Sequence, residues 1–277
     1  MLNLKLDKNS ASEKTSTKKP STKKLLDQIS IDDKSHTKKT LKQTLNKISS
    51  NSKKNNKLNI YKHHEKLNAI CKSFENQKIE MFVTCMNIQL QLKNCNVVGD
   101  IFEDVFYQIV RENLTDFEQG PKQASPDYYG DNKQFEFELK TFTKQPGFDI
   151  GNFTSYISQL CEENGLFRKI LNTKYLIFEY MMDTNNVVTI KKFYYLNVWN
   201  LVSYTGKYPI SMQVKKNMWY NIRPDSVKNW NDSTKTFHVF IEQLIQCINM
   251  CHHIEDKQTK ILNIKNQYTS LISKYTL

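Results

Sequence analysis

The stretch that most constrains this chain is residues 125–142, SPDYYGDNKQFEFELKTF. From Gln134 onward it alternates with the period of two that belongs to a β-strand, whose side chains point to opposite faces in turn. Phe135, Phe137 and Leu139 therefore share one face, and Glu136, Glu138 and Lys140 share the other. The Tyr, Gly, Asp and Asn residues of 128–132 form a turn signal. A strand, a turn and a second strand are expected. Such a hairpin brings the Asp127 carboxylate within a few ångströms of Glu138.

Two carboxylates beside a lysine suggest a chemistry. Mg²⁺ favours one or two carboxylates together with water and phosphate oxygens, and Asp127 and Glu138 supply that pair. Phosphodiester hydrolysis needs an activated water, a Lewis acid at the phosphate and relief of charge on the phosphoryl oxygens. Lys140 would orient the water, tune its pKa or offset the phosphorus-centred charge. The competing reading is three charges on the solvated face of an ordinary hairpin, since alternating charge is common on exposed strands.

The chain's 277 residues can hold one sizeable domain with an extension. Its net charge of +12 points to a polyanionic partner. Residues 1–60, however, hold 15 Lys against 5 acids, while the other 217 residues carry 25 basic and 23 acidic side chains. Any nucleic acid must therefore meet the body at a local patch. The six cysteines follow no disulfide framework, no apolar run reaches membrane-span length, and the N-terminus lacks a secretory core. A reducing cytoplasm is the expected compartment.

Residues 1–57 contain no aromatic residue and read as a Lys/Ser/Asn-rich extension, mostly disordered, with Leu41, Leu45 and Ile48 spaced for a loose helix. Residues 60–92 read as helical, on Leu67, Ile70, Cys71 and Phe74 with further apolar positions at Ile79, Phe82 and Val83. A second helix follows Gly99, with Ile101, Phe102, Val105, Phe106, Ile109 and Val110 in one broad stripe. Asp149 reads as a helix N-cap or as an acid near the metal. Strands are expected over 175–180 and 187–195, and helices on Phe237 to Ile248 and beyond Ile261. Together these elements predict an α/β fold, a mixed central sheet flanked by helices. Residues 213–223 interleave Lys215, Lys216 and Arg223 with Trp219, Tyr220 and Asn221, a candidate DNA contact in which Arg223 would meet guanine N7 and O6. Cys247, Cys251, His252 and His253 have no second ligand pair at a standard zinc spacing.

Asp127 followed by Glu138 and Lys140 is similar to the PD-(D/E)XK nuclease signature. The neighbouring stretches QPGFDIGNFTSYI (145–157), KYLIFEYMMD (174–183), VVTIKKFYYLNVWNL (187–201) and SMQVKKNMWYNIRP (211–224) resemble, in the same order, type II restriction endonucleases of the NgoBV/NlaIV kind. The resemblance covers residues 58–248. It implies a PD-(D/E)XK restriction-endonuclease-like core, Mg²⁺-dependent cleavage of double-stranded DNA at a palindrome of the form GGNNCC, and catalytic roles for Asp127, Glu138 and Lys140. In this superfamily an acid on the first core helix often faces the metal, and Glu103 or Asp104 would fill that place. A palindrome implies a homodimer, and restriction implies a DNA methyltransferase in the same cell. The expected division is a leader (1–57), a nuclease domain (58–250) and a C-terminal helical extension (251–277). Two other readings stay open: a repair or recombination nuclease that recognises DNA structure, and a basic DNA-binding protein without enzymatic activity.

Overall fold

Apolar residues on both faces of one strand decide the layering. The computed structural model describes residues 30–31, 57–80, 82–85, 88–91, 98–121 and 124–275. Its elements begin with β1 (Ser30–Ile31), α1 (Lys57–Lys72), β2 (Lys78–Glu80), β3 (Phe82–Cys85), β4 (Ile88–Gln91), α2 (Val98–Arg111), β5 (Glu118–Gln119), β6 (Tyr128–Gly130) and β7 (Phe135–Phe142). Then come β8 (Gly151–Asn152), α3 (Phe153–Leu160), a π-helical turn (Phe167–Asn172), β9 (Thr173–Met182), β10 (Val188–Leu196) and α4 (Val198–Leu201). The chain ends with β11 (Met212–Lys215), β12 (Met218–Ile222), a short 3₁₀ turn, α5 (Phe237–Met250) and α6 (Lys257–Tyr275).

The main sheet has the order β1-β2-β10-β9-β7-β6-β5. Its β7–β9 pair is parallel and the other pairs are antiparallel, so the sheet is mixed, as expected. The parallel pair needs a crossover, which α3 and the π-helical turn provide. Phe135, Phe137 and Leu139 of β7 join Leu176 and Phe178 of β9 under α1 and α2. On the opposite face Phe142, Tyr175 and Ile177 pack with α3, α5 and α6. Each fully buried large apolar side chain contributes about 1.5–3 kcal/mol.

The α2 stripe is as expected, with Val98, Phe102, Val105, Phe106 and Val110 buried. The helical reading of 60–92 holds only as far as Lys72. Asn76, at φ 66°, turns the chain, and Lys78–Glu80 then joins the sheet beside β10. Next, Phe82–Cys85 pairs with Ile88–Gln91, where Ile88 and Leu90 alternate with Gln89 and Gln91. That period of two marks a hairpin, and scattered apolar residues had masked it. The expected disordered or loosely helical leader lies outside the described residues, apart from Ser30–Ile31 on β2 and the start of α1. Helix α6 puts Ile261 and Ile264 into the same core as α3 and α5. Among the described residues no helix is long and apolar enough to cross a membrane.

The β6–β7 hairpin rests on His63 of α1, whose ring stacks against Phe135 and Phe137 with centroids 6.1 and 6.2 Å away. Gly130 is what allows this approach. A Cβ there would sit 2.5 Å from His63 Nε2 and 2.8 Å from Phe137 Cε2. Gly130→Ala is expected to destabilise the fold by about 1–3 kcal/mol, read as a lower urea midpoint. Combined with His63→Ala it should cost less than the two single changes together.

Candidate active site

Strand register assembles the site. Tyr128 pairs with Phe137 and Gly130 with Phe135, so Asp127, one residue earlier, falls opposite Glu138 on the same face. Asp127 Oδ2 accepts a hydrogen bond from the Leu139 amide at 2.7 Å. Lys140 Nζ lies 3.4 Å from that oxygen and 3.1 Å from Glu138 Oε2. The lysine thus sits between the two carboxylates. Glu138 is only 7% exposed and Glu136 only 4%, which excludes the solvated-face reading of this strand.

Burial raises the Asp127 pKa, Lys140 opposes the rise and Glu138 adds to it. Burial also works against the Lys140 ammonium, but Glu138 and then Asp127 outweigh it and hold the proton more firmly than usual. Glu103, half-buried on α2, is pushed up to about 7 by burial and then by Asp127, with Lys140 pulling the other way. Its carbonyl accepts from the Tyr128 hydroxyl at 3.0 Å, which ties α2 to β6 beside Asp127. Asp104 points to solvent. Among the described residues, Asp127, Glu138 and Glu103 crowd about Lys140, and the acids there outnumber the cations. Asp127 and Glu138 offer hard oxygen donors suited to a divalent cation, and Glu103 adjoins them. Among the described residues no three acidic, His or Cys side chains close on one point. The donor set is an open pair of carboxylates, the arrangement Mg²⁺ takes when water and phosphate complete its shell.

A second polar group lies beside Glu138. Ser125 donates its hydroxyl hydrogen to Glu138 Oε1. Lys169, from the π-helical turn and 5% exposed, donates to Ser125 Oγ at 2.5 Å and lies 3.5 Å from Glu136 Oε2. Arg168 Nε is 3.8 Å from Glu136 Oε1, and Thr173 Oγ1 is 3.2 Å from Oε2. Ser125, Glu138, Lys169 and Thr173 line a cavity of about 120 Å³ with Asn152, the N-cap of α3, and Ser155, Tyr156 and Gln159 along that helix. Sequence reasoning missed Lys169. It is 31 residues past Glu138, and its only local signal is a lysine set between the buried Leu166 and Ile170.

The candidate DNA-contact residues lie on or next to a separate three-stranded sheet, β11-β12-β8. Lys215 and Lys216 are exposed at the β11–β12 turn, and Lys215 Nζ is 5.9 Å from the Tyr220 ring. Arg223 is engaged within the chain, 3.0 Å from Asp149 Oδ1 and donating to the Gly147 carbonyl at 2.5 Å. Asp149 is not the helix cap. Asn152, next to the helix, accepts from the Ser155 amide at 3.1 Å and caps α3. Asp149 instead pairs with Arg223 and Asn221. Trp219 is buried against Phe153 and Tyr208. Cys247 and Cys251 are buried in the core on the α3 side of the sheet, and His253 Nε2 meets the Asn217 carbonyl at 2.9 Å.

The model of the NgoBV restriction endonuclease family matches residues 54–276. The chain is 29% identical over 168 residues to the type II restriction enzyme NlaIV of Neisseria lactamica, covering 58% of this chain and 68% of that protein. It is 26% identical over 136 residues to the type II restriction enzyme NgoBV of Neisseria gonorrhoeae, covering 47% of this chain and 75% of that protein. The solved NlaIV restriction endonuclease superposes with a TM-score of 0.61 at 23% identity, over 71% of this chain and 82% of that one. That likeness supports the same α/β architecture.

The raised Glu103 pKa has a signed consequence. Between the ordinary 4.5 and about 7 the folded chain holds a proton that the unfolded chain has lost. Stability therefore falls as pH rises through that window. Solvent reaches part of Glu103, which screens the effect to on the order of 1 kcal/mol. Glu103→Gln in metal-free protein is expected to raise Tm by roughly 2–4 °C at pH 8 and to leave it unchanged at pH 4. Thermal unfolding followed by circular dichroism at the two pH values checks both.

Proposed function

Because the chain belongs to the NgoBV restriction endonuclease family and is thus a type II, site-specific endonuclease, we propose that Asp127, Glu138 and Lys140 hydrolyse its phosphodiester bonds with Mg²⁺. The observation that carries this reading is Glu138, 7% exposed, with Lys140 at 3.1 Å and Asp127 facing it across the strand pair. Burying such a set without catalytic use would cost stability that an apolar face would not.

In this proposal Asp127 and Glu138 hold the ion. When bound, Mg²⁺ supplies a Lewis acid at the phosphate and lowers the pKa of a coordinated water. Lys140 keeps its proton between the two carboxylates, so it acts as a hydrogen-bond donor and not as a base. It aims at the attacking water and at negative charge growing on the phosphoryl oxygens. Glu103 is the further acid nearest this set. Lys215 and Lys216 meet backbone phosphates. Arg223 reads guanine only by exchanging Asp149 and Gly147 for the base edge.

The resemblance to the NgoBV/NlaIV enzymes supports a palindromic target of the form GGNNCC, a homodimer with one active site per strand, and a protecting methyltransferase in the same cytoplasm.

Incubation with long unmethylated DNA tests the reading. Mg²⁺ should give discrete fragments with ends inside GGNNCC, and EDTA should give none. Lys140→Ala should lower the cleavage rate by at least about a hundredfold with little loss of DNA binding in a filter-binding assay. Fragments ending at another fixed sequence would keep the chemistry and discard GGNNCC. Equal cleavage by Lys140→Ala would sink the catalytic assignment.

A further inference from the structure

We propose that Lys169 and Ser125 are positioning residues that fix the rotamer of Glu138 through a directed hydrogen-bond relay, with Glu136 anchoring its far end. This inference rests on the metal-holding role given to Glu138 above.

The direction of the relay follows from donor inventory. A lysine ammonium can only donate, whereas a serine hydroxyl has a single proton to give. Lys169 Nζ is 2.5 Å from Ser125 Oγ, so Ser125 accepts there and its own proton must go elsewhere. That proton goes to Glu138 Oε1, while Oε2 faces Lys140 at 3.1 Å. Each oxygen of the carboxylate is therefore held by a different group.

Lys169 is fixed in turn. Glu136 lies behind it at 3.5 Å, and both side chains are nearly inaccessible, at 5% and 4%. Glu136 stands two residues before Glu138 on the same face of β7, so one strand supplies both the anchor and the target. The parallel register sets Thr173 beside Glu136 and Tyr175 beside Glu138. It thereby brings the π-helical turn that ends at Asn172 onto the acid face. Such turns are rare and occur frequently at functional sites. Ser125, Glu138 and Lys169 all line the same 120 Å³ cavity, and Tyr156, whose buried hydroxyl meets no hydrogen-bond partner among the described residues, faces it as well. The relay therefore borders space open to ligands, unlike a salt bridge closed within the core.

Groups that orient a metal ligand change metal affinity by roughly 10–100-fold when removed. The test uses Ser125→Ala, which leaves the Lys169–Glu136 pair intact, and Ser125→Thr, which restores a hydroxyl. A Glu136→Gln/Lys169→Met double variant, which removes both buried charges together, should raise the Mg²⁺ midpoint in the same direction as Ser125→Ala, and a wild-type midpoint there overturns the role of Lys169. The full-length DNA-free proteins are titrated calorimetrically with Mn²⁺, the Mg²⁺ concentration for half-maximal DNA cleavage is measured, and Tm is recorded without metal. Ser125→Ala should weaken Mn²⁺ binding and raise the Mg²⁺ midpoint, each by about 10–100-fold, with Tm unchanged. Ser125→Thr should restore both. Wild-type metal midpoints in Ser125→Ala, or a loss that Ser125→Thr does not repair, overturn the relay, and a change confined to Tm does the same. Wild-type protein that neither binds Mn²⁺ nor cleaves with Mg²⁺ overturns the metal role of Glu138 itself, an outcome distinct from failure of the relay.

Discussion

Burial of the charged face of β7 is the constraint on which the rest of the structure depends. Phe135, Phe137 and Leu139 alone would let the hairpin lie on α1 and α2 with its acids in water. Phe142, on the acid face of the same strand, instead packs with Trp230 and Phe148, and α3 closes over that face. Once Glu136 and Glu138 leave solvent, each needs a compensating partner, because an uncompensated buried charge costs several kcal/mol. Lys140 answers from the strand itself, and Lys169 from the crossover.

The two lysines do different work because their surroundings differ. Lys140 faces Asp127 and Glu138 at the open end, where burial still raises the Asp127 pKa and Glu103 sits near 7. Among the described residues acids outnumber cations there, which suits a divalent ion. Lys169 is enclosed with Glu136 and reaches Glu138 only through Ser125. One carboxylate face thus divides into an end open to a cation and an end that is already neutralised. The division follows from strand register, since residues two apart on β7 meet different neighbours on β9.

Much of this was legible in the residues. The alternation of 134–142 gave the strand and both its faces, and the turn cluster gave the hairpin. The α2 stripe gave its buried side almost residue for residue. The hairpin at 82–91 was not legible, because short apolar runs are ambiguous between helix and strand until a pairing partner is known. Asp149 was misread for a related reason. An acid ahead of a helix has the composition of a cap, but Asn152 stands closer to the first turn, and Arg223, 74 residues later, claims the carboxylate.

The sequence by itself determined the local facts: which residues alternate, where the chain turns, and that Glu138 and Lys140 share one face of a strand that follows Asp127 and a turn. Those depend on backbone periods of two or 3.6 residues and on turn chemistry, which act over a few neighbours. Only the tertiary structure decided that the acid face is buried, that Lys169 meets Ser125 across 44 residues, and that Arg223 is engaged by Asp149. Such contacts form when distant segments share one sheet and one core. No local period encodes them, so they emerge only when the crossover closes.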